Sequence, residues 1–442
     1  MDKLFKVIAG SVSAPSGFLA SGVFCDIKRL GTGKGSNKGK KRDLGLIVSE
    51  VPAMAAGMFT TNQICAAPVK VCVEHLKKGV AQAIVVNSGN ANACTGRQGL
   101  EDAKQMARIV AGELRLPAEH VLVGSTGRIG VNLPMPNVEA GIVLAIGALG
   151  RSAEHSGHFA EAIMTSDTRS KEVAVELLLG SKRVRIGGVC KGAGMIQPGM
   201  SRTGRRPAAI PLHATMLAFV TTDAAVEAKV LQSCLEEAVA NSFNRITVDG
   251  DMSTNDTVIV LANGLAENKK LIRADRRGLS NFQSALNFVT LELARMIVRD
   301  GEGASRFVTL RLSGARSFAE ADAAVRAVAN SALVKTSWCG GDPNWGRIID
   351  ALGYSAARVV EEKVDIAYSL PGGKKLLYSL RGGQPTDTAF SELCKITAAP
   401  EFDLHINLNL GKACALLYSS DLTEHYVDFN KGDVSDPASL GG

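Results

Sequence analysis

The sequence predicts an α/β or α+β fold in which mixed sheets are covered by helices. Short apolar runs with strand character alternate with amphipathic, helix-like stretches along the whole chain. The composition is 46% hydrophobic and 21% charged over 442 residues, which is ordinary for a globular protein of one large layered domain or two compact units. No internal repeat is evident in the sequence, so a solenoid or a propeller is not expected.

The first half of the chain alternates strands with turns and helices. Residues 44–51 predict a strand, and residues 82–96 predict a buried strand that ends in an Asn- and Gly-rich turn. Residues 121–123 predict a further strand, followed by a polar turn over residues 124–130. The apolar run 138–150 is too short to span a bilayer and therefore predicts a packed helix.

The second half continues the alternation. An apolar run predicts a strand over residues 216–220, and an amphipathic pattern predicts a helix over 226–243. Residues 244–250 and 256–264 predict two strands, and the Asx-rich residues between them predict a hairpin turn. The remaining patterns predict a long helix over 281–303, a strand over 306–314, a helix over 319–331 and strands through much of 363–417.

Charge and cysteine content limit the classes of function. The net charge is +7, and the one dense basic run, residues 34–41, is flanked by glycines and predicts a solvated loop. Aromatic residues make up only 5%, which argues against a surface that stacks nucleic-acid bases. The nine cysteines form no CxxC pair, and a lysine interrupts the short apolar run at the N-terminus. Reduced, mostly buried thiols and a cytoplasmic location are therefore expected.

The sharpest change in composition lies at residues 198–211, which are rich in Gly, Pro and Arg. Such a stretch is typical both of a linker between domains and of a loop that is cut. Ala214 and Thr215 follow it, directly before the predicted strand at 216–220. A threonine hydroxyl becomes a good nucleophile when the threonine is the first residue of a chain, because its own α-amine, with a pKa of about 8, then serves as the base. Self-cleavage between Ala214 and Thr215 would create that state.

Other patterns leave weaker candidates. The turns at the ends of two predicted strands would put backbone N–H groups at the edge of a sheet, where they suit an oxyanion, although ordinary turns have the same composition. The glycine-rich basic run lacks the spacing of a phosphate-binding loop, and no G-x-S-x-G serine elbow is present. Neither the carboxylates at 249–256 nor the histidines at 155 and 158 predict a metal site.

Several long motifs resemble one family, the ornithine acetyltransferases, which are the glutamate N-acetyltransferases of arginine biosynthesis. The resemblance runs in family order from about residue 8 to 435. The motifs that carry it are "NSGNANACTG", "GSTGRIG", "IMTSDT", "KGAGMIQP" with "ATMLAFVTTDA", "NRITVDGDMSTNDTV", "DGEGASRF", "LVKTSWCGGDPNWGRIIDALGY" and "SSDLTEHYV".

The resemblance implies an architecture and a set of roles. The fold would be that of the N-terminal-threonine-nucleophile acetyltransferases, cut into an α chain of residues 1–214 and a β chain of residues 215–442. Thr215 would be the nucleophile, and Thr126 and Gly127 would form the oxyanion hole. Substrate contacts would come from Thr165, Lys191, Thr215, Glu302, Asn430 and Ser435, with Lys191 suited to a carboxylate and Glu302 to an ammonium group.

The implied reaction is a ping-pong transfer of acetyl from N-acetylornithine through Thr215 to glutamate. It would need no metal or organic cofactor, and acetyl-CoA would be a second donor in some family members. The cut chains would associate as an (αβ)2 heterotetramer or a larger assembly, with no nucleic-acid or membrane partner expected.

Two departures from the family pattern keep alternatives open. The loop at 199–213 is longer than in the family, and it precedes the bond to be cut. Near the C-terminus Asp433 replaces a common aromatic residue, and the chain runs on to Gly442. The alternatives are an N-terminal-nucleophile amidase or aminopeptidase, and an uncleaved, non-catalytic paralogue.

Overall fold

The computed structural model describes residues 4–28, 41–205 and 216–431. The basic run at 34–41 and the loop at 199–213 therefore lie partly outside the described residues, and Ala214, Thr215 and Ser435 lie wholly outside them. The chain divides into two compact units. The first comprises Met1–Asn244, Met252–Ile297 and Asn430–Gly442, and the second comprises Arg245–Asp251 and Val298–Phe429.

The described residues form strands and helices throughout both units. The strands are β1 (Phe5–Ile8), β2 (Phe18–Val23), β3 (Leu44–Thr60), β4 (Val80–Asn90), β5 (Val121–Arg128), β6 (Lys171–Leu179), β7 (Lys182–Lys191), β8 (Met200–Ser201), β9 (Leu217–Thr222), β10 (Ile246–Thr247), β11 (Thr257–Ala262), β12 (Phe307–Ala315), β13 (Asp365–Ser369), β14 (Leu377–Arg381), β15 (Gln384–Pro385), β16 (Glu401–Asn407) and β17 (Ala413–Ser420). The helices are α1 (Ala67–His75), α2 (Gly96–Leu114), α3 (Met135–Gly147), α4 (Ala153–Ile163), α5 (Ala228–Ala240), α6 (Arg276–Arg299), α7 (Phe318–Asn330), α8 (Ala332–Cys339), α9 (Trp345–Gly353), α10 (Phe390–Thr397) and α11 (Glu424–Asn430).

The first unit is built on one mixed sheet. Among the described residues its strands run in the order β1-β6-β7-β9-β11-β3-β4-β5, with β2 and β8 also paired to β3. Strand β3 pairs with β4 mainly through its first half and with β11 through its second half, and the β4 register shifts between Val48 and Ala53. Irregularities of this kind bend a strand and increase its twist.

The part of this sheet that contains β5 packs against the part that contains β9. Leu122 of β5 and Phe219 of β9 belong to one buried apolar cluster. A Cβ atom on Gly124 would lie 3.4 Å from Phe219 Cζ, so the middle of β5 lies against the Phe219 side chain of β9. Burying the inner faces of both halves supplies the core, since apolar burial stabilises by about 25 cal/mol per Å².

Helices cover the outer faces. Met106 of α2 and Ile142 of α3 pack with the outer residues Val85 and Val123 of β4 and β5. On the opposite side α6 lies on β7, because a Cβ at Gly188 would come within 2.9 Å of Val289 and Leu293 in α6.

The second unit has a mixed sheet of its own, which among the described residues runs β10-β17-β12-β16-β13-β14-β15. Its core joins strand residues such as Leu310 and Leu404 to Val325 of α7 and Trp338 of α8. Helix α7 begins where Ser317 accepts a hydrogen bond from the Glu320 amide, an N-cap that satisfies one of the unpaired first-turn donors.

These layers confirm the predicted fold class, with three corrections to its details. The hairpin predicted between residues 244–250 and 256–264 is wrong, because β10 pairs with β17 in one sheet and β11 pairs with β3 and β9 in the other. Strand β5 continues to Arg128, through the stretch expected to be a turn. Residues on both sides of 198–211 belong to the first unit, so that stretch does not link the units. The beginning of this stretch is a short strand, since Met200 and Ser201 of β8 pair with Thr60 and Phe59 of β3.

The nine cysteines are all free, and four of them are buried. Burial raises the pKa of the Cys72 and Cys234 thiols to about 12. Thiols of this kind stay protonated near neutral pH and are inert as nucleophiles. Within the described residues, no helix combines the length and apolar character that crossing a bilayer requires.

Candidate active site

A buried polar cluster stands at the end of β7. The Lys191 side chain, 3% exposed, donates from Nζ to the Thr165 hydroxyl at 2.7 Å, and its Nζ lies 3.9 Å from Asp167 Oδ2. Asp167 also accepts hydrogen bonds from Lys171 Nζ and from the Gly192 amide, both at 2.6 Å, and from the Thr165 amide at 3.1 Å. One carboxylate therefore fixes the positions of Thr165, Lys171 and Lys191 together.

The sheet explains why these residues meet. Lys171 opens β6 and pairs with Cys190, the residue before Lys191 at the end of the antiparallel strand β7. Thr165 and Asp167 lie in the short segment between α4 and β6, only a few residues before Lys171.

Charge compensation sets the protonation state of Asp167. Burial by itself would raise the pKa of this carboxyl, but the charges of Lys171 and Lys191, with the Lys171 and Gly192 hydrogen bonds, hold it well below its usual range. Asp167 is therefore a carboxylate at neutral pH, and it supports a protonated lysine beside it.

The ends of the parallel strands β4 and β5 form a second part of the site. Thr126 and Gly127 pair in register with Ser88 and Gly89. Gly127 has a φ of 128°, and a Cβ there would lie 2.4 Å from the Gly89 carbonyl carbon, so only glycine fits. Thr126 is 1% exposed. Backbone N–H groups and polar side chains at a strand end of this kind are the groups from which oxyanion holes are built.

The head of β9 is the third part. Leu217 pairs with Lys191 on one side and with Thr257 of β11 on the other. The Met216 amide donates to Asp256 Oδ1 at 2.5 Å, and the Asp256 side chain is fully buried. Burial raises the pKa of Asp256 well above its usual value, opposed in part by the Met216 hydrogen bond and the Lys191 charge.

These three parts belong to the same region of the first unit. The Lys191 cluster borders β9 through strand pairing, and the middle of β5 lies against the Phe219 side chain of β9 at Gly124. The chemistry available there is a buried cation, a glycine-lined strand end and the strand β9, which begins two residues after the candidate nucleophile in the sequence.

Comparisons with known proteins give this arrangement a family. The ArgJ family model matches residues 27–432. The arginine biosynthesis bifunctional protein ArgJ of Symbiobacterium thermophilum is 44% identical over 423 residues, which is 96% of this chain and 98% of that protein. The protein of the same name from Bacillus subtilis is 41% identical over 430 residues, 97% of each chain. The chain belongs to the ArgJ family.

Two solved ArgJ-family structures are similar over part of the chain. The arginine biosynthesis bifunctional protein ArgJ of Bacillus halodurans is 41% identical with a TM-score of 0.41, and it covers 45% of this chain and 99% of its own. The ornithine acetyltransferase of Mycobacterium tuberculosis, solved with ornithine, is 36% identical with a TM-score of 0.41, and it covers 45% of this chain and 100% of its own.

The structure brings some of the predicted site residues together. Thr165 and Lys191 are hydrogen-bonded, and Thr126 and Gly127 end the strand that faces β9. Glu302 lies in the second unit, in the turn between α6 and β12, where it is half-buried. Asn430 is the last residue of α11. The roles of Ala214, Thr215 and Ser435 in this ArgJ-family chain stay predictions, since these three residues are not described.

Sequence reasoning missed Asp167, Lys171 and Asp256. Asp167 stands two residues after the predicted substrate residue Thr165, with Lys171 four residues further, and that spacing could have signalled an ion pair. The sequence places Asp256 at the start of a predicted strand, directly after an Asx-rich turn, and predicts no functional role for it. Its complete burial depends on strands far away in sequence, which a local pattern does not reveal.

Proposed function

We propose that this chain transfers the acetyl group of N-acetylornithine to the amine of glutamate, giving ornithine and N-acetylglutamate. The observation that carries the proposal is the buried Lys191 ammonium, fixed by Thr165 and Asp167 and paired in register with Leu217, two residues after the candidate nucleophile Thr215. A buried ammonium is a natural partner for the carboxylate that both amino-acid substrates carry. Relatives at 41–44% identity are named proteins of arginine biosynthesis.

The reaction follows from the chemistry of an N-terminal threonine. The α-amine of Thr215 takes the proton of its own hydroxyl, and the oxygen attacks the acetyl carbonyl of N-acetylornithine. Thr126 and Gly127 stabilise the tetrahedral oxyanion. The C–N bond breaks, and the departing ornithine amine takes the proton from the Thr215 ammonium. The glutamate amine then attacks the acetyl ester and gives a proton to the Thr215 α-amine. As the ester C–O bond breaks, that proton passes to the Thr215 oxygen, which restores the hydroxyl and releases N-acetylglutamate.

The nucleophile is made by self-cleavage. The Thr215 hydroxyl attacks the carbonyl of Ala214, the acyl group moves from nitrogen to oxygen, and water hydrolyses the ester. Two chains result, 1–214 and 215–442. Both would contribute to one sheet, because β9 lies between β7 and β11 and β11 pairs with β3.

Acetyl-CoA is proposed as a second donor of the acetyl group, because the relatives are named bifunctional. The proposal also includes the predicted contacts of Glu302 with a substrate ammonium group and of Asn430 and Ser435 with substrate. The cut chains are proposed to assemble as an (αβ)2 heterotetramer or larger in the cytoplasm, with no cofactor.

The first test is the intact mass of the purified protein beside that of Thr215→Ala. The expected result is two fragments for the wild type, the second beginning at Thr215, and one uncut chain for the variant. A wild type that stays as a single chain of 46.4 kDa would contradict the proposal and favour the uncleaved paralogue.

The second test follows acetyl exchange between N-acetylornithine and glutamate. We expect N-acetylglutamate to form. Lys191→Met should raise KM for both substrates, because the ammonium group that binds the substrate carboxylate is lost. Acetate released without a glutamate requirement would instead identify an amidase. Acetyl-CoA in place of N-acetylornithine tests the second donor.

A further inference from the structure

Two consecutive residues before β11 contact the two strand ends of the candidate active site. Asn255 donates from Nδ2 to the Ser125 carbonyl at 2.8 Å and to the Ala91 carbonyl at 2.7 Å. Ser125 is joined to the candidate oxyanion residue Thr126 by the peptide unit whose oxygen Asn255 holds. Ala91 follows the end of β4, so Asn255 ties the ends of β4 and β5 together.

Asp256 makes the corresponding contact on the other side. Its Oδ1 accepts the Met216 amide, which is the amide of the peptide unit joining Thr215 to Met216. Covalent geometry alone puts that nitrogen about 2.5 Å from the Thr215 Cα atom. The carboxyl is fully buried, and among the described residues its Oδ2 has no hydrogen-bond partner.

We propose that Asn255 and Asp256 are positioning residues for acetyl transfer, one holding the peptide unit next to the oxyanion residue and the other the peptide unit next to the nucleophile. The pair would set the spacing between Thr126 and Thr215, since adjacent residues have Cα atoms only about 3.8 Å apart. This inference rests on the proposed function, which assigns Thr126 and Thr215 their roles.

The segment that carries the pair is itself anchored to the end of β3. The Thr60 amide donates to the Asp256 carbonyl at 2.8 Å, and the Thr60 hydroxyl donates to the Ser253 carbonyl at 2.7 Å. The Thr254 hydroxyl bonds Asn255 Oδ1 at 2.5 Å, which fixes the orientation of the amide. A positioning residue is effective only when its own rotamer is locked by contacts of this kind.

The residue types suit the two tasks. An amide offers two N–H donors, and Asn255 uses Nδ2 on two carbonyl oxygens. A carboxyl offers an acceptor for one amide. Burial is the largest influence on Asp256 and raises its pKa, which favours the neutral acid and lowers the cost of burying it.

The test compares four variants: Asn255→Ala, Asp256→Ala, Asp256→Asn and the double alanine variant. Self-cleavage is followed over time by intact mass, and kcat and KM are measured on the cut enzyme. We expect each single alanine variant to lose about 10²-fold in kcat with KM changed less than about threefold, because a misplacement of about 1 Å costs that much in rate. For a variant that stays uncut, the rate of self-cleavage is measured in place of kcat, since self-cleavage uses the same Thr215 hydroxyl as acetyl transfer.

The conservative and double variants separate positioning from other roles. Asp256→Asn keeps an acceptor for the Met216 amide and should stay within about tenfold of the wild-type kcat, since a neutral hydrogen bond is replaced by a similar one. The double variant should lose no more than the worse single variant, because the two residues set one spacing. An Asp256→Asn loss as large as that of Asp256→Ala would overturn the inference and assign the acidic proton a chemical task.

Matched controls lie at the far ends of the same two strands. Asp223, directly after β9, is 2% exposed and accepts the Arg185 and Ser16 amides. Asn263, directly after β11, donates to the Ser16 carbonyl. Asp223→Asn and Asn263→Ala should leave kcat within about twofold, since they are remote from both peptide units. Thermal melting of every variant establishes that it is folded.

The Thr215→Ala variant separates the two levels of the proposal. If Thr215→Ala still cuts itself or transfers acetyl, the proposed function fails. If Thr215→Ala is inactive while Asn255→Ala and Asp256→Ala match the wild type, the proposed function stands and this inference is wrong.

Discussion

The region around Asp167 and the region around Asp256 both bury a carboxyl group in the first unit, yet the pKa of that carboxyl shifts in opposite directions. Asp167 has two lysines, Lys171 at 2.6 Å and Lys191 at 3.9 Å, besides two backbone amides. Among the described residues, the Asp256 carboxyl accepts a single hydrogen bond, from the Met216 amide. Burial raises the pKa in both cases. At Asp167 the charges of Lys171 and Lys191, with the Lys171 and Gly192 hydrogen bonds, reverse the direction, whereas at Asp256 the Met216 hydrogen bond and the Lys191 charge do not.

The difference separates two uses of a buried acid. A carboxylate that is fixed by cations holds other side chains at defined distances, and here it holds Thr165 and Lys191. An acid with one backbone partner holds a peptide unit, and its burial disfavours the charged form. Two aspartates that look alike in the sequence therefore have different structural roles, because their neighbours across the sheet differ.

The largest effect is expected from Asp167→Asn, which removes the anion and leaves Lys171 and Lys191 buried without it. Breaking one side of a buried pair costs about 3–5 kcal/mol. The measurement is the free energy of unfolding by chemical denaturation at pH 7. The double variant Asp167→Asn/Lys171→Met should recover part of the loss, because one uncompensated cation is removed with the anion. A single variant as stable as the wild type would show that the ion pair is not the reason for the low pKa.

The pH dependence of stability should have opposite signs at the two acids. The folded-state pKa of Asp167 lies below the unfolded value of about 3.9, so its contribution is present above that pH and is lost as the pH falls through the folded pKa. The folded-state pKa of Asp256 lies above the unfolded value, so stability decreases as the pH rises from about 4 toward that pKa.

Denaturation of Asp167→Asn and Asp256→Asn from pH 3 to 7 measures this contrast. The stability deficit of Asp167→Asn should shrink below about pH 4, whereas Asp256→Asn should gain on the wild type as the pH rises above about 4. Parallel curves for the two variants would remove the distinction between the two regions.

The sequence allowed part of this site to be predicted. Thr165, Lys191, Thr126 and Gly127 stand in motifs that resemble a family, and the fold class follows from alternating strand and helix patterns. The burial of Asp256 could not be predicted, because it depends on which strands β11 pairs with. The same choice of partner made the predicted hairpin between β10 and β11 wrong, since strand pairing is decided by contacts far apart in sequence.

Lys335 in the second unit is a buried base whose pKa can be compared with those of the two buried acids. Its ammonium is 3% exposed and bonds the Ser419 hydroxyl and the Ser420 carbonyl. Burial lowers its pKa to about 8, although the charges of Asp249 and Asp421 oppose the shift. Like Asp256, it is held by neutral groups, and the charged form is again disfavoured.

The sign for Lys335 follows from proton linkage. Between about pH 8 and the unfolded value of about 10.4, the unfolded chain keeps the proton that the folded chain has released, so the free energy of unfolding increases with pH. The rise should amount to about 3 kcal/mol and should be absent in Lys335→Met. Identical pH profiles for the two proteins would show that this lysine is not titrating in that range.

The smallest effect is expected from Glu267→Gln, which breaks an exposed ion pair of the first unit. Lys182 Nζ lies 2.9 Å from Glu267 Oε2, a distance close to that of the Lys171–Asp167 pair, but the two side chains are 47% and 76% exposed. Water and salt screen such a pair, and the entropy of holding two long side chains offsets what attraction is left. Chemical denaturation at pH 7 should find no change in the free energy of unfolding. A loss comparable to that of Asp167→Asn would mean that the separation of the charges, rather than their burial, decides the strength of both pairs.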